Sequence, residues 1–207
     1  GYAPPIWKVA HVKPIHKSGS TSDVQNYRPI SLTCTCAKVM ESIVNEQMIS
    51  FLLRNNLISQ HQHGFLSKRS TCSNLLDSFQ DWVLELKNRE NVDVAFIDFS
   101  KAFESVSHSK LLHKLSGYGI KYELLNWIKS FLELRTQRVL IDGHLSSIAN
   151  VRSGVIQGSV LGPLLFILYV NDVMDGMDTA TTSFKLYADD LKLYSRVKMN
   201  DIQNALS

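Results

Sequence analysis

Apolar residues along the 207-residue chain recur with two different periods, and the switches between them outline its elements. From Ala37 to Leu53, Val39, Met40, Ile43, Val44, Met48, Phe51 and Leu52 fall at helical spacing, and Asn55-Asn56 supply a stop. A second helix is predicted from near Thr71, where Leu75, Leu76, Phe79, Trp82, Val83 and Leu86 form one amphipathic stripe. Val92 to Phe99 is short, β-branched and aromatic, which predicts a buried strand ending at the carboxylate of Asp98. Ser107 caps and Gly117 closes the next predicted helix, and another covers Tyr122 to Leu134. Arg138 to Asn150 has the pattern of a hairpin turning at Asp142-Gly143. Pro163 suits the first turn of a helix running to Asn171, where a missing N–H removes no hydrogen bond. Phe184 to Tyr194 sets two short strand-like arms around Ala188-Asp189-Asp190. Helices and strands mixed without regular alternation predict an α+β fold.

A hydrophobic content of 44% is enough for a full core, and no repeat or Gly/Ser/Pro-rich linker divides the chain. The longest apolar run, Pro163 to Val170, falls far short of the roughly 20 residues that cross a bilayer, so no membrane partner is expected. Cys34, Cys36 and Cys72 lack the spacing of a disulfide framework or a zinc knuckle, and His61 and His63 read as loop rather than zinc ligands. A net charge of +3 is too mild to name a partner, but its distribution says more. Residues 1 to 76 carry eight Lys/Arg against three Asp/Glu, and the remainder 14 against 16. A basic first lobe suits a polyanion and a slightly acidic second lobe suits cations.

Three acids stand in costly places. Asp98 ends an apolar strand, and Asp189-Asp190 lie where a hairpin turns. Ionised carboxylates beside buried strands are unfavourable unless paired, hydrogen-bonded or coordinated. If the strand ending at Asp98 pairs with that hairpin, carboxylates 91 residues apart in sequence meet at one sheet edge. Such a cluster suits hard Mg2+, and two ions there suit phosphoryl transfer.

The segments Phe96–Phe103 (FIDFSKAF), Ser153–Ser159 (SGVIQGS) running on to Gly162-Pro163, and Tyr187-Ala188-Asp189-Asp190 resemble, in order and spacing, successive palm motifs of reverse transcriptases. Trp7-Lys8, Lys13–Lys17 (KPIHK) and Asn26–Leu32 (NYRPISL) resemble the fingers signature of non-LTR retrotransposon polymerases. His63-Gly64-Phe65 through Thr71 is similar to the family's next fingers segment. The resemblance covers Trp7 to Tyr194 and implies a right-hand polymerase fold of fingers and palm, the palm an antiparallel sheet packed against helices. It implies that residues 1–91 are mainly fingers, and 92–207 mainly palm with an interleaved fingers segment. It also implies a chain truncated at both ends, with the thumb absent and, like the endonuclease regions, belonging to a longer polyprotein.

What the resemblance implies about chemistry is RNA-directed DNA synthesis: dNTPs joined to a DNA primer on an RNA template. Two Mg2+ ions, with Mn2+ as a substitute, are held by Asp98 and Asp189 with Asp190 in support. Lys17 and Arg28 grip the triphosphate, and backbone amides at Lys101 and Ala102 line it. Phe103 lies beneath the sugar and excludes a 2′-hydroxyl, while Gln157 and Gly158 lie against the nascent base pair. Gly154, Gly158 and Gly162 permit backbone approach to something flat. Lys68 and Arg69 touch template phosphates, and Tyr187 neighbours the template–primer. Glu104 departs from the family's usual aspartate. Two other readings share these motifs: a fragment that binds nucleic acid without extending a primer, and an RNA-dependent RNA polymerase or maturase-like palm. Phe103 and the Tyr187-Ala188 pair favour DNA synthesis.

Overall fold

A computed structural model describes residues 1–177 and 182–197, so the last ten residues of the span expected for the palm lie outside the described residues. In chain order the elements are β1 (Val9–His16), β2 (Tyr27–Leu32), α1 (Thr35–Arg54), α2 (Thr71–Lys87), β3 (Asn91–Asp98), α3 (His108–Gly117) and α4 (Tyr122–Leu132). There follow β4 (Arg135–Ile141), β5 (His144–Leu145), β6 (Ala149–Val151), α5 (Gly162–Val170), β7 (Thr182–Tyr187) and β8 (Asp190–Val197). The α+β class is as expected. Two compact units are built from alternating segments, residues 1–57 with 101–169 and residues 58–100 with the described residues from 170 onward.

The first unit contains a sheet in the order β2-β1-β4-β5, with β6 also on β4. β1 and β2 pair antiparallel from His16↔Tyr27 to His11↔Leu32, and β1 runs parallel to β4 from Val9↔Thr136 to Val12↔Val139. Proline cannot donate to a ladder. Pro14, opposite Pro29, accordingly lies beyond the stretch of β1 that pairs with β4. The β4–β5 turn is at Asp142-Gly143, both at positive φ, as the dipeptide predicts. α4 stops at Leu132 rather than Leu134 because Glu133 is extended and Leu134 turns to φ 54°, which lets β4 start at Arg135.

Helix α1 buries a narrower stripe than its apolar pattern predicts: Ala37, Glu41, Val44, Met48 and Leu52, with Val39 and Ile43 exposed. Fully buried Glu41 accepts hydrogen bonds from the amides of Val160 (2.8 Å) and Leu161 (2.9 Å), just ahead of α5. The Leu161 N–H, at the cap position of α5, is one of the donors that a helix N-terminus leaves without an intrahelical partner. Arg135, also buried, donates to the carbonyls of Phe131 (2.9 Å) and Trp7 (3.0 Å). Burial pulls its pKa down to about 10, partly countered by the charge of Glu41, so it stays cationic at neutral pH. With its N-terminus anchored in this way, α5 buries Leu164 through Leu168 on every side.

The second unit is the antiparallel sheet β3-β8-β7 with α2 against it. Buried Met174, Leu186 and Leu191 form its apolar nucleus, flanked by Phe99, Phe184 and Leu193. Two expectations need correction here. β3 is a strand but not a buried one: it is the sheet edge, with Phe96 73% exposed. And α2, capped by a Ser70–Ser73 box, turns its polar side inward, burying Asn74 and Ser78 while Leu75, Leu76, Phe79 and Leu86 are exposed. The cause is Lys192, a buried lysine in the middle strand. An ammonium taken out of water needs acceptors. Asn74 Oδ1 (3.2 Å) and Ser78 Oγ (3.0 Å) supply them, with the Trp82 ring 5.6 Å away. Lys185 lies 3.6 Å from Asp81, which also accepts the Tyr194 hydroxyl. Among the described residues no helix is long and apolar enough to cross a membrane.

Two measurements test this packing. In urea denaturation, Phe79→Lys is expected to change the unfolding free energy by no more than about 0.5 kcal/mol, as for an exposed site. Asn74→Ala strips partners from Lys192 and from the Leu186 carbonyl, and is expected to cost on the order of 2 kcal/mol. Burial also raises the Glu41 carboxyl above the ordinary glutamate range, the Leu161 and Val160 amides offsetting only part of this. Protonation of Glu41 therefore favours the folded state, a contribution present at low pH and lost as pH rises through the folded pKa. The stability of the wild type relative to Glu41→Gln is expected to improve as pH falls from neutral towards the ordinary glutamate range, and a pH-independent difference would contradict the assignment.

Candidate functional site

Register in the three-stranded sheet sets Asp98 opposite Asp190, and Asp190 opposite Tyr187, in a single cross-strand row. Directly opposed residues share a face, with Cβ atoms about 4.5–5.5 Å apart. Only Ala188 and Asp189 lie in the turn between β7 and β8, so the third carboxylate adjoins the other two. Asp98 and Asp190 are exposed and Asp189 is half-buried. The Asp190 carboxyl is pushed above its usual range, first by partial burial and then by the charges of Asp189 and Asp98. The acids therefore sense one another. Among the described residues no three His, Cys, Asp or Glu side chains converge closely enough to enclose an ion by themselves. What the row offers is an open set of anionic oxygens. Such a donor set fits a hard divalent cation that keeps water and ligand oxygens in its remaining positions.

Beside the row is a cavity of about 410 Å³, lined by Asp98, Asp190 and Tyr187 together with Thr71, Asn74 and Leu75 of α2, Phe96 and Ile97 of β3, and Lys185, Leu191 and Lys192. One end is thus acidic and the other basic, with an apolar wall between.

The turn that carries Asp189 is braced from residues 61–64. Leu186 exchanges backbone hydrogen bonds with His61 and His63 (2.9 and 2.8 Å). Gln62 Oε1 accepts from both Gly64 N (2.7 Å) and Ala188 N (3.0 Å). A Cβ on Gly64 would stand 2.3 Å from Ala188 N, so no larger residue fits there without displacing the turn. Ala188 is held at φ 57°, which costs a non-glycine residue roughly 1–2 kcal/mol. His63 is buried, its Nδ1 2.9 Å from Ser73 Oγ and its Nε2 3.3 Å from Asp77; burial lowers its pKa and favours the neutral ring. Gln62 was not singled out by the sequence pattern. A glutamine between two loop histidines carries no periodic signal, whereas Glu41 interrupts an apolar stripe and was legible in principle.

Arg69 donates through Nη1 to the carbonyls of Gln60 and Gln62 and so helps hold this loop in shape. Its neighbour Lys68 is exposed, at φ 65°.

The expected nucleotide contacts fall in the first unit. Arg28 lies opposite Ile15, on the face of the β1–β2 ladder that also carries Lys13, and Lys17 follows directly at the end of β1 with its amide bonded to the Asn26 carbonyl (2.8 Å). Both cations are exposed. Lys101 has φ 50°, and the Ser105 N–H donates to its carbonyl (2.9 Å), closing a tight turn that contains Ala102 and Phe103. Phe103 is half-buried and stacks on Phe166, ring centres 4.3 Å apart and planes 10° from parallel.

Segment 153–157 is laced to segment 103–106: Val155 N to Phe103 O, Gly154 N to Val106 O, and Ser153 Oγ to Glu104 O. Glu104, the departure from the family pattern, accepts from Gln157 Nε2 at 2.8 Å. Its extra methylene is thus used to orient Gln157. The glycines at 154, 158 and 162 do permit close backbone approach, but to the chain's own Glu104, Ser31 and Ile156.

Comparison with known proteins agrees with this geometry. Residues 15–207 match the family described as reverse transcriptase (RNA-dependent DNA polymerase). The RNA-directed DNA polymerase from mobile element jockey of Drosophila melanogaster is 34% identical over 204 residues, 96% of this chain and 22% of that protein. The probable RNA-directed DNA polymerase from transposon X-element of the same fly is 32% identical over 83% of this chain and 19% of its own length. The chain thus spans about a fifth of these relatives. Apo telomerase from Candida tropicalis shares the fold with a TM-score of 0.67 at 12% identity, over 100% of this chain and 42% of that one. With the family matched over all but its first 14 residues and a relative at 34% identity, this chain belongs to the reverse transcriptases, among those of non-LTR retrotransposons.

Proposed function

We propose that this chain is the catalytic fingers and palm of a retrotransposon RNA-directed DNA polymerase, adding dNTPs to a DNA primer 3′-hydroxyl on an RNA template. Reverse transcriptases work with divalent metal ions, and Mg2+, replaceable by Mn2+, is the ion proposed here. The observation that carries the reading is the cross-strand row in which Asp98 and Asp190, on strands far apart in sequence, face each other beside Asp189. Three mutually repelling carboxylates are stable together when a cation neutralises them. Asp98 and Asp189 are proposed as direct ligands of two ions and Asp190 as their support. Bound there, the ions would activate the primer hydroxyl and neutralise the leaving pyrophosphate.

The remaining roles belong to side chains that bind and orient. Arg28 and Lys17 present exposed cations suited to the triphosphate, the guanidinium by its planar fork. The amides at Lys101 and Ala102, in the tight turn closed by Ser105, are proposed to line the triphosphate. Phe103, backed by Phe166, is a rigid wall against a 2′-hydroxyl. Gln157, fixed by Glu104, and Gly158 are proposed to lie against the base pair. Lys68 is proposed as a contact to template phosphate, with Arg69 keeping its loop in place, and Tyr187, in the carboxylate row, as a contact to the primer terminus.

Primer extension on an RNA template with Mg2+ tests the reading. The wild type is expected to incorporate dNTPs, and Asp189→Asn to slow incorporation by at least about 100-fold while duplex binding persists. A folded wild type that binds the duplex and extends nothing would favour a nucleic-acid-binding fragment. In the same assay Phe103→Val is expected to raise rNTP use relative to dNTP by roughly tenfold or more, as for removal of a steric barrier. Unchanged discrimination would remove Phe103 from sugar selection.

A further inference from the structure

The carboxylate row depends on a turn of two residues, and that turn is not self-supporting. Ala188 is 5% exposed, so its N–H has no water to bond, and no backbone carbonyl of the β7–β8 hairpin takes it. Its partner is a side-chain oxygen 126 residues earlier, Gln62 Oε1, at 3.0 Å. The same oxygen accepts Gly64 N at 2.7 Å, so one carboxamide ties the loop of residues 61–64 to the turn. Gln62 is 1% exposed, bridges in parallel to Leu186, and lies two residues from a glycine already in contact with Ala188. Little freedom is left to the Ala188 backbone, whose left-handed φ sets where the next two side chains point.

The chemistry of the residue fits this use. Only the oxygen of the carboxamide is engaged; Nε2 is buried without a partner among the described residues. A carboxylate would supply the same acceptor, but with a further negative charge beside three acids that already repel. Glutamine gives a strong neutral acceptor, and methionine, of similar length, gives none.

We propose that Gln62 is a positioning residue for the acidic site: its side-chain oxygen fixes the Ala188–Asp189 turn, and through that backbone the direction in which Asp189 and Asp190 project. The proposal rests on the reading of these acids as a divalent-metal site, and the test keeps the two apart. In the full chain, Gln62→Met, Gln62→Glu and Asp189→Asn are compared by hydrogen exchange at the Ala188 amide, by Mn2+ binding followed through water proton relaxation, and by thermal melting.

Gln62→Met is expected to speed exchange at Ala188 and to weaken Mn2+ binding, each by about tenfold, the effect of one lost buried hydrogen bond. Exchange in the α5 core should stay within about threefold of wild type, which a general loss of stability would not allow. Gln62→Glu is expected to recover the protection at Ala188, because it keeps the acceptor, and this holds the proposal testable if the methionine variant does not fold. Wild-type exchange and Mn2+ affinity in Gln62→Met would overturn the proposal, as would failure of Gln62→Glu to protect Ala188. Should Asp189→Asn leave Mn2+ binding unchanged, the metal-site reading falls instead, and Ala188 exchange alone decides whether Gln62 holds the turn.

Discussion

Like charges on neighbouring strands push a sheet apart, and the second unit is organised around resisting that push at one end. Asp98 and Asp190 face each other across a ladder that joins β3 and β8 over their full length, from Asn91↔Val197 to Asp98↔Asp190. Repulsion at the last pair is opposed by seven further pairs behind it and by β7 on the other side. Outward relaxation of the hairpin is opposed by residues 61–64, which hold Leu186 and Ala188 from alongside β7. A cation bound at the proposed site would meet carboxylates that the sheet register already sets side by side, so less of its binding energy would go into reorganising the protein.

The same economy of charge explains the reversed helix. Lys192 follows Asp190 by two residues on the same strand face, where its ammonium is held by neutral acceptors rather than by an acid. Had α2 presented its leucines there, a buried cation would have been left without partners. Asn74 and Ser78 therefore face inward, and Leu75, Leu76 and Phe79 face out.

Much of the site was legible from residues alone because it is punctuated by local chemistry. A strand ending in Asp98, a tight turn at Ala188-Asp189 and a proline-started α5 are all short-range signals. The exposure of β3 and the inverted face of α2 were not legible: the first follows from the place of β3 at the sheet edge, the second from acceptors that Asn74 and Ser78 give to Lys192, over 100 positions after α2. β1 and β2 escaped for a related reason: prolines at 14 and 29 break the usual strand pattern, and the parallel partner of β1 is β4, far along the chain. Glu104 read as a departure from its family; in the fold it is half of a hydrogen bond to Gln157. The part Arg69 plays in bracing its own loop carried no sequence signal, because its acceptors are backbone carbonyls, which every sequence has.

The interleaving of the two units has a consequence for synthesis. Among the described residues β3 has a single partner strand, β8, whose first residue comes 92 positions after Asp98. At about 5–20 residues per second, a ribosome leaves β3 without that partner for roughly 5–20 s. Throughout that interval the strand carries Val94, Phe96 and Ile97 with its backbone donors and acceptors unpaired, while α3, α4 and β4 to β6 emerge and can assemble with segments already made. The acidic site therefore forms late, only after the intervening segments of the first unit have been made.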